Sequence, residues 1–178
     1  MANYINQNED KLSNLDIDFF VWFHKLLYPV WFQIKAIWND WVEYIMFPWE
    51  FRKQFFLKHI TDFSSVENIQ RDFQKLLDNF NAIENKTRED IIIFYINFMS
   101  VHPFWDSNWT ISALISDILC KKYWFEELNL LNLRFKDKNT LFKVIEIYEK
   151  DKNSEQILNL IDEFNEKNPI NFNLLQRG

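Results

Sequence analysis

The stretch Thr87-Arg88-Glu89-Asp90-Ile91-Ile92-Ile93-Phe94-Tyr95-Ile96-Asn97-Phe98-Met99-Ser100-Val101 decides the fold. Residues 91–99 are apolar nearly all round, and no glycine or proline interrupts them. β-Branched side chains suit strands, but Thr87 stands where a cap belongs, and Glu89 and Asp90 suit the positive end of a helix. The stretch therefore predicts a buried central helix that ends at Val101 or His102, because Pro103 disfavours helical geometry in the residue before it. Beyond a polar turn, Ile111, Leu114, Ile115, Ile118 and Leu119 return at helical spacing, predicting a second helix to about Trp124. Nine residues, His102-Pro103-Phe104-Trp105-Asp106-Ser107-Asn108-Trp109-Thr110, join the two.

Outward from this pair the pattern stays helical. Ser64 or Ser65 with Glu67 marks a helix start, and Ile69, Phe73, Leu76, Leu77 and Phe80 give it an apolar face. Residues 140–150 and 154–166 each combine a capping residue with an apolar stripe, the first through Phe142, Val144, Ile145 and Tyr148, the second through Ile157, Leu160, Ile161 and Phe164. Toward the N-terminus, Trp31, Ile34, Trp38, Trp41 and Ile45 recur by threes and fours and predict an amphipathic helix, with Pro29 ending its predecessor near Tyr28. Such a stripe either packs on the core or offers tryptophan anchors to a second copy or a partner. Residues 48–65 show a weaker polar and apolar alternation that fits one short strand pair or a loop. Together these segments predict an all-α bundle in one domain: aromatic-rich N-terminal helices over residues 1–49, a core over 50–165 and a tail over 166–178.

Composition narrows the function. With 178 residues, 48% of them hydrophobic and 19% aromatic, the chain has ample material for a core. Its single glycine is Gly178, so glycine-rich Walker loops and dinucleotide fingerprints are excluded. A net charge of -6 disfavours a nucleic-acid binder. Charged residues break the aromatic segment 19–47, which rules out a bilayer span of ~20 apolar residues. The opening residues lack the pattern of an export signal, and the lone Cys120 lies in an apolar helical pattern, so a buried thiol in a cytoplasmic protein is expected.

The turn carries the chemistry. A histidine at a helix end can take a proton near neutral pH and serve as general base, and Asp106 can hold Mg²⁺ whose other ligands are water and phosphate oxygens. The N-terminus of the following helix points its amides at the same loop, a favourable place for an anion. Trp109 offers a flat face for stacking on a base. Taken singly, His102 is more often a capping or packed histidine than a catalyst, and Asp106 is more often a solvated turn or cap residue than a metal ligand.

In register, His102, Phe104, Asp106 and Asn108 resemble the Fic family, the cell-filamentation and AMP-transferase proteins, whose signature runs His-x-Phe-x-Asp/Glu-Gly-Asn-Gly/Lys-Arg between two helices. Pro103 is a common choice at its position. The resemblance covers about residues 50–165, with the region around Glu50-Phe51-Arg52 similar to the family's substrate-docking flap and the segments from Phe142 and Ile157 similar to its closing helix pair. It implies that His102 is the catalytic base toward a hydroxyl of a target protein and that Asp106 binds Mg²⁺. It also implies that Ser107, Asn108, Trp109 and Thr110 form the anion loop on ATP phosphates, and that Phe104 anchors that loop.

The departures fall on the phosphate side. Ser107 stands at the first glycine, Trp109 at the second small residue or lysine, Thr110 at the phosphate-binding arginine and Ala113 at a second arginine. An arginine acting on a transferring phosphoryl group is worth orders of magnitude in rate. The family's Ser/Thr-x-x-x-Glu-Gly/Asn inhibitory motif is missing too. Two functions follow from the resemblance: a transferase of reduced or altered activity using ATP and Mg²⁺, or an inactive Fic fold kept as a protein-interaction module. A protein target or regulatory protein is the expected partner.

Overall fold

A computed structural model describes residues 9–27, 34–37, 43–47, 49–53 and 63–169. In chain order these form α1 (Glu9–Ser13), α2 (Ile17–Leu27), β1 (Ile34–Ile37), β2 (Glu43–Met46), a 3-10 turn (Val66–Asn68), α3 (Ile69–Asn81), α4 (Arg88–Val101), α5 (Asn108–Lys122), α6 (Leu130–Lys136), α7 (Lys138–Asp151) and α8 (Ser154–Lys167). Among the described residues the architecture is all-α apart from one antiparallel strand pair. No helix among the described residues is long and apolar enough to cross a membrane.

The two central helices are the expected pair, α4 and α5, packed on each other with the nine-residue turn between them. Thr87 caps α4 in a reciprocal box: its hydroxyl accepts from the Asp90 amide at 3.2 Å, and the Asp90 carboxylate accepts from the Thr87 amide at 2.8 Å. Helix α3 packs on α4, α2 packs on α3, and α6, α7 and α8 close the remaining side. At the seam Phe20 meets Phe73 at 5.2 Å and Phe73 meets Phe98 at 5.4 Å, both edge to face. Such pairs add roughly 0.5–1.5 kcal/mol each beyond the area they bury. Arg88 ties the start of α4 to α8 through two bonds to Asp162, of 2.7 and 2.6 Å, and donates from Nε to the Glu126 carbonyl.

Two sequence expectations need correction. The helix expected along Trp31, Ile34, Trp38, Trp41 and Ile45 is replaced by the antiparallel pair of β1 and β2, with Ile34 opposite Met46 and Ile37 opposite Glu43. That window is rich in β-branched and aromatic residues on both sides of Asn39-Asp40, a turn-favouring pair in the sequence, so strand period competes with helical period. The tryptophans of the stripe, Trp31, Trp38 and Trp41, lie outside the described residues, and so does the homo-oligomer surface expected through them. The strand pair considered for residues 48–65 reduces, among the described residues there, to one β-bridge between Phe51 and Phe104. Helix α6 was not anticipated, and α7 and α8 are capped by Asp137 and Asn153, just ahead of the segments read as helical.

Without an internal glycine, the described chain turns left-handed at His102, Ser107, Trp124, Asn129 and Lys152. Trp124 is the least suited of these. It sits just past α5 at φ 63°, in a Schellman turn where Phe125 N–H donates to the Cys120 carbonyl at 2.8 Å and Trp124 N–H to that of Lys121 at 3.2 Å. Its side chain is 95% exposed and so gains no packing in return. Trp124→Gly should therefore raise unfolding free energy by about 0.5–1 kcal/mol, the relief of strain less the extra entropy of glycine in the unfolded chain; urea titration checks this, and a loss would contradict the strain.

Burial also shapes two acids in α5. The Cys120 thiol is pushed up to about 12, first by desolvation, consistent with an inert thiol. Asp117 accepts from the Asn129 amide at 2.9 Å, fixing the start of α6, yet burial pushes its carboxyl up to about 6. A carboxyl raised above its unfolded value holds its proton longer in the native state. Its contribution is complete below about pH 4 and is lost as pH rises to about 6. Asp117→Asn should equal the natural chain near pH 4 and exceed it by up to about 3 kcal/mol above pH 6; urea titrations across that range would show no divergence if the group ionises freely.

Candidate functional site

The turn from His102 to Thr110 is held from behind by two residues that sequence reading did not single out as site residues. Arg52 is 1% exposed. Its Nε donates to the His102 carbonyl at 2.8 Å, and one terminal nitrogen donates to the carbonyls of Val101, at 3.3 Å, and Ser64. A cation at the C-terminus of α4 also meets the negative end of the helix. Burial lowers the Arg52 pKa from its ordinary value, while these acceptors and the Phe63 ring, 5.9 Å from the guanidinium carbon, favour the charge. Around it the chain pairs as a short antiparallel ribbon: Arg52 N–H donates to the Pro103 carbonyl at 3.0 Å, and Trp105 N–H to that of Glu50 at 3.2 Å.

His24 is the second support. Fully buried on α2, it places Nε2 3.1 Å from the Asp106 carbonyl and sets its ring edge-on to Phe104 at 5.0 Å. Desolvation pulls its pKa below 6.5, against the raising effects of the Asp106 backbone and carboxylate, so the neutral imidazole is favoured. The His24 signal was present in its position: it falls one helical turn after Phe20, on the apolar face of α2. For Arg52 the signal was a single arginine among alternating aromatics.

Each expected site residue can now be placed. His102 ends α4 at φ 48°, ψ 58°, donating its amide to the Phe98 carbonyl at 2.8 Å. Its ring lies 4.4 Å from that of Phe63, and Nδ1 is buried. Phe104 is buried among Phe51, Phe73 and Phe98, as an anchor would be. Asp106 is exposed, and one carboxylate oxygen accepts from the Ser107 amide at 2.6 Å. Ser107, the N-cap just ahead of α5, adopts φ 62°, the left-handed geometry for which glycine is the usual residue.

Asn108 points inward. It is buried, accepting from the Phe104 amide at 3.0 Å and donating to the Phe104 carbonyl at 2.8 Å. Trp109 lies edge-on to Tyr95 and Phe142, both at 6.4 Å, with the Arg134 guanidinium 5.5 Å over its ring. Thr110 is half-buried, and Ala113 faces the core, where an arginine would have no room. The turn therefore gathers His102, Phe104, Asp106 and Asn108 on one framework, but sets its two most polar side chains, Asp106 and Asn108, to work on the turn's own backbone.

These residues do not fit nucleotide phosphates bridged by Mg²⁺. The Ser107 amide already has a carboxylate acceptor, Asn108 is turned into the core, and neither position 110 nor 113 carries a cation. Among the described residues there is no cluster of three or more His, Cys, Asp or Glu arranged for a metal. No protein-family model matches the chain, and no curated protein or solved structure matches it with significance.

Arg52 is the residue whose loss the site should tolerate least. Arg52→Met leaves the carbonyls of Ser64, Val101 and His102 without their charged donor and should cost about 3 kcal/mol, while Arg52→Lys, which lacks the planar fork, should recover less than half; thermal and urea unfolding of both variants measure this, and a cost below about 1 kcal/mol would show the clamp to be dispensable.

Proposed function

We propose that this chain is a Fic-like helical protein in which the motif turn serves as a structural strap, and that it acts as a protein-interaction module with little or no nucleotidyl transfer. The observation that carries this reading is the inward engagement of Asp106 and Asn108. In a working anion loop, main-chain amides stay open to receive phosphate. Here the Asp106 carboxylate takes the first of them at 2.6 Å, so the turn supplies its own anion. The missing cations at positions 110 and 113 support the same reading, since phosphoryl transfer depends on charge stabilisation more than on covalent chemistry by the protein.

A second reading, a transferase of reduced activity on a target-protein hydroxyl with ATP and Mg²⁺, is favoured by one feature. Ser107 keeps the left-handed conformation of the family's glycine, and His102 and Asp106 keep their register around it. The two readings differ in what Asn108 does.

Asn108→Ala should lower unfolding free energy by about 2 kcal/mol, because both polar groups of Phe104 lose buried partners. Calorimetry of the natural chain with 1 mM ATP and Mg²⁺ should show no binding, and incubation with labelled ATP and cell extract should transfer no label. Metal-dependent labelling that disappears in His102→Ala, with Asn108→Ala folded as stably as the natural chain, would reverse the proposal in favour of the transferase.

A further inference from the structure

The junction of α6 and α7 reads Arg134-Phe135-Lys136-Asp137-Lys138-Asn139-Thr140-Leu141-Phe142-Lys143. Its four cations and one acid give these ten residues a charge of +3, which leaves -9 on the rest of a chain whose total is -6. The one acid is committed to the fold. Asp137 caps α7, accepting from the amides of Asn139 and Thr140 at 3.1 and 3.2 Å and from the Thr140 hydroxyl at 2.6 Å. Phe135, Lys136, Lys138, Phe142 and Lys143 are all exposed, Phe135 to 77% in the last turn of α6. Lys138 and Phe142, four residues apart, share a face of α7. Phe142 lies edge-on to Trp109 at 6.4 Å and the Arg134 guanidinium lies 5.5 Å over the same ring, so both helices contribute to one surface. Lys143 acts on Glu146, which is itself paired with Lys150 at 2.5 Å.

We propose that this junction binds the surface of an anionic lipid bilayer, with Phe135 entering the headgroup boundary, Lys136, Lys138 and Lys143 on the headgroups and Phe142 at the margin. Lysines are drawn to the negative potential of such a surface, and an aromatic ring gains by leaving water at its apolar edge. Charge and exposed ring occur here in the same ten residues. A protruding phenyl group needs a partner that deforms around it, as a fluid interface does, whereas an acidic peptide would engage the lysines and leave the ring in water. The negative charge on the rest of the chain is repelled by the same surface, which leaves this face as the one that approaches it. The proposal does not rest on the reading of the motif turn, which nucleotide binding and labelling test separately.

The test is co-sedimentation of the full chain with vesicles of phosphatidylcholine containing about 30% phosphatidylserine, against vesicles of phosphatidylcholine alone. Binding is expected to the first only. Lys136→Gln with Lys138→Gln should weaken it about 25-fold, roughly fivefold for each charge removed, and Phe135→Ser about tenfold, through the loss of a ring partly withdrawn from water. All three side chains are exposed, so circular dichroism of both variants should match the natural chain. No binding to the anionic vesicles, or binding that the double lysine variant leaves unchanged, would overturn the proposal. Full affinity in Phe135→Ser, with polyglutamate displacing the chain from the vesicles, would assign the lysines to an acidic polypeptide and overturn the bilayer contact. Sedimentation without vesicles that the double lysine variant abolishes would assign them to the acidic body of a second copy, and would overturn it equally.

Discussion

One buried cation holds the centre of this molecule together. Helix α4 must end inside the protein, because Pro103 stops it while the chain has still to cross to α5. Its last carbonyls cannot be left bare there, since a buried acceptor without a donor costs about 1–3 kcal/mol. Arg52 meets that demand from a segment fifty residues earlier, reaching the carbonyls of Val101 and His102 together with that of Ser64. Its planar fork serves several acceptors at once, which a lysine would do less well. The ribbon between residues 50–52 and 103–105 follows from this placement, and that ribbon gives the motif turn its second wall. From the other side His24 steadies Asp106 through the backbone. The turn is thus built to be rigid before any question of chemistry arises.

Rigidity was bought without glycine. Families that bind phosphate in such a turn use glycine for two separate ends, to reach positive φ and to clear space for the ligand. At Ser107 the first end is met without the second. Ser107 reaches φ 62° because Asp106 accepts its amide at 2.6 Å and because Asn108 pins Phe104 from both polar groups. Each of those bonds stabilises the left-handed residue, and each uses a group that an anion would otherwise engage. Shape and receptivity, which glycine supplies together, come apart when the residue has a Cβ.

The legible parts of this sequence were those where one physical signal dominated. The apolar run 91–99 with Thr87 before it and Pro103 after it admits one answer, and α4 begins and ends where these residues require. Cys120 was legible for the same reason, as an apolar group on an apolar face, whereas the burial of Phe104 was expected only through the resemblance of its motif. The window from Trp31 to Ile45 was misread because tryptophan and isoleucine satisfy a period of 3.6 and a period of 2 alike, and the pairing that selects β1 with β2 is a contact between residues about ten positions apart. Arg52 and His24 showed in the sequence only as polar residues among apolar ones, a faint signal that does not by itself mark a site. What defines them is a distant partner: a helix end for one, the Asp106 carbonyl for the other. A single sequence records local preference well and long-range satisfaction of polar groups hardly at all.

The same distinction bears on how the motif should be weighed. His102, Phe104, Asp106 and Asn108 recur at the spacing of a reactive turn, and spacing by itself reads as chemistry. Yet every one of these residues has structural work visible in its surroundings: His102 reverses the chain after α4, Phe104 fills the core, Asp106 steadies Ser107, and Asn108 ties the turn to itself. A turn that must reverse direction between two buried helices needs a residue tolerant of positive φ, an apolar plug and acceptors for its loose amides. That requirement reproduces the spacing with no phosphate present. Chemistry adds a further demand, cations and open amides at positions 107, 109, 110 and 113, and those are the positions where the chain carries Ser, Trp, Thr and Ala. The residues that agree with the family are those the fold itself can use, and the residues that differ are those only a ligand would need.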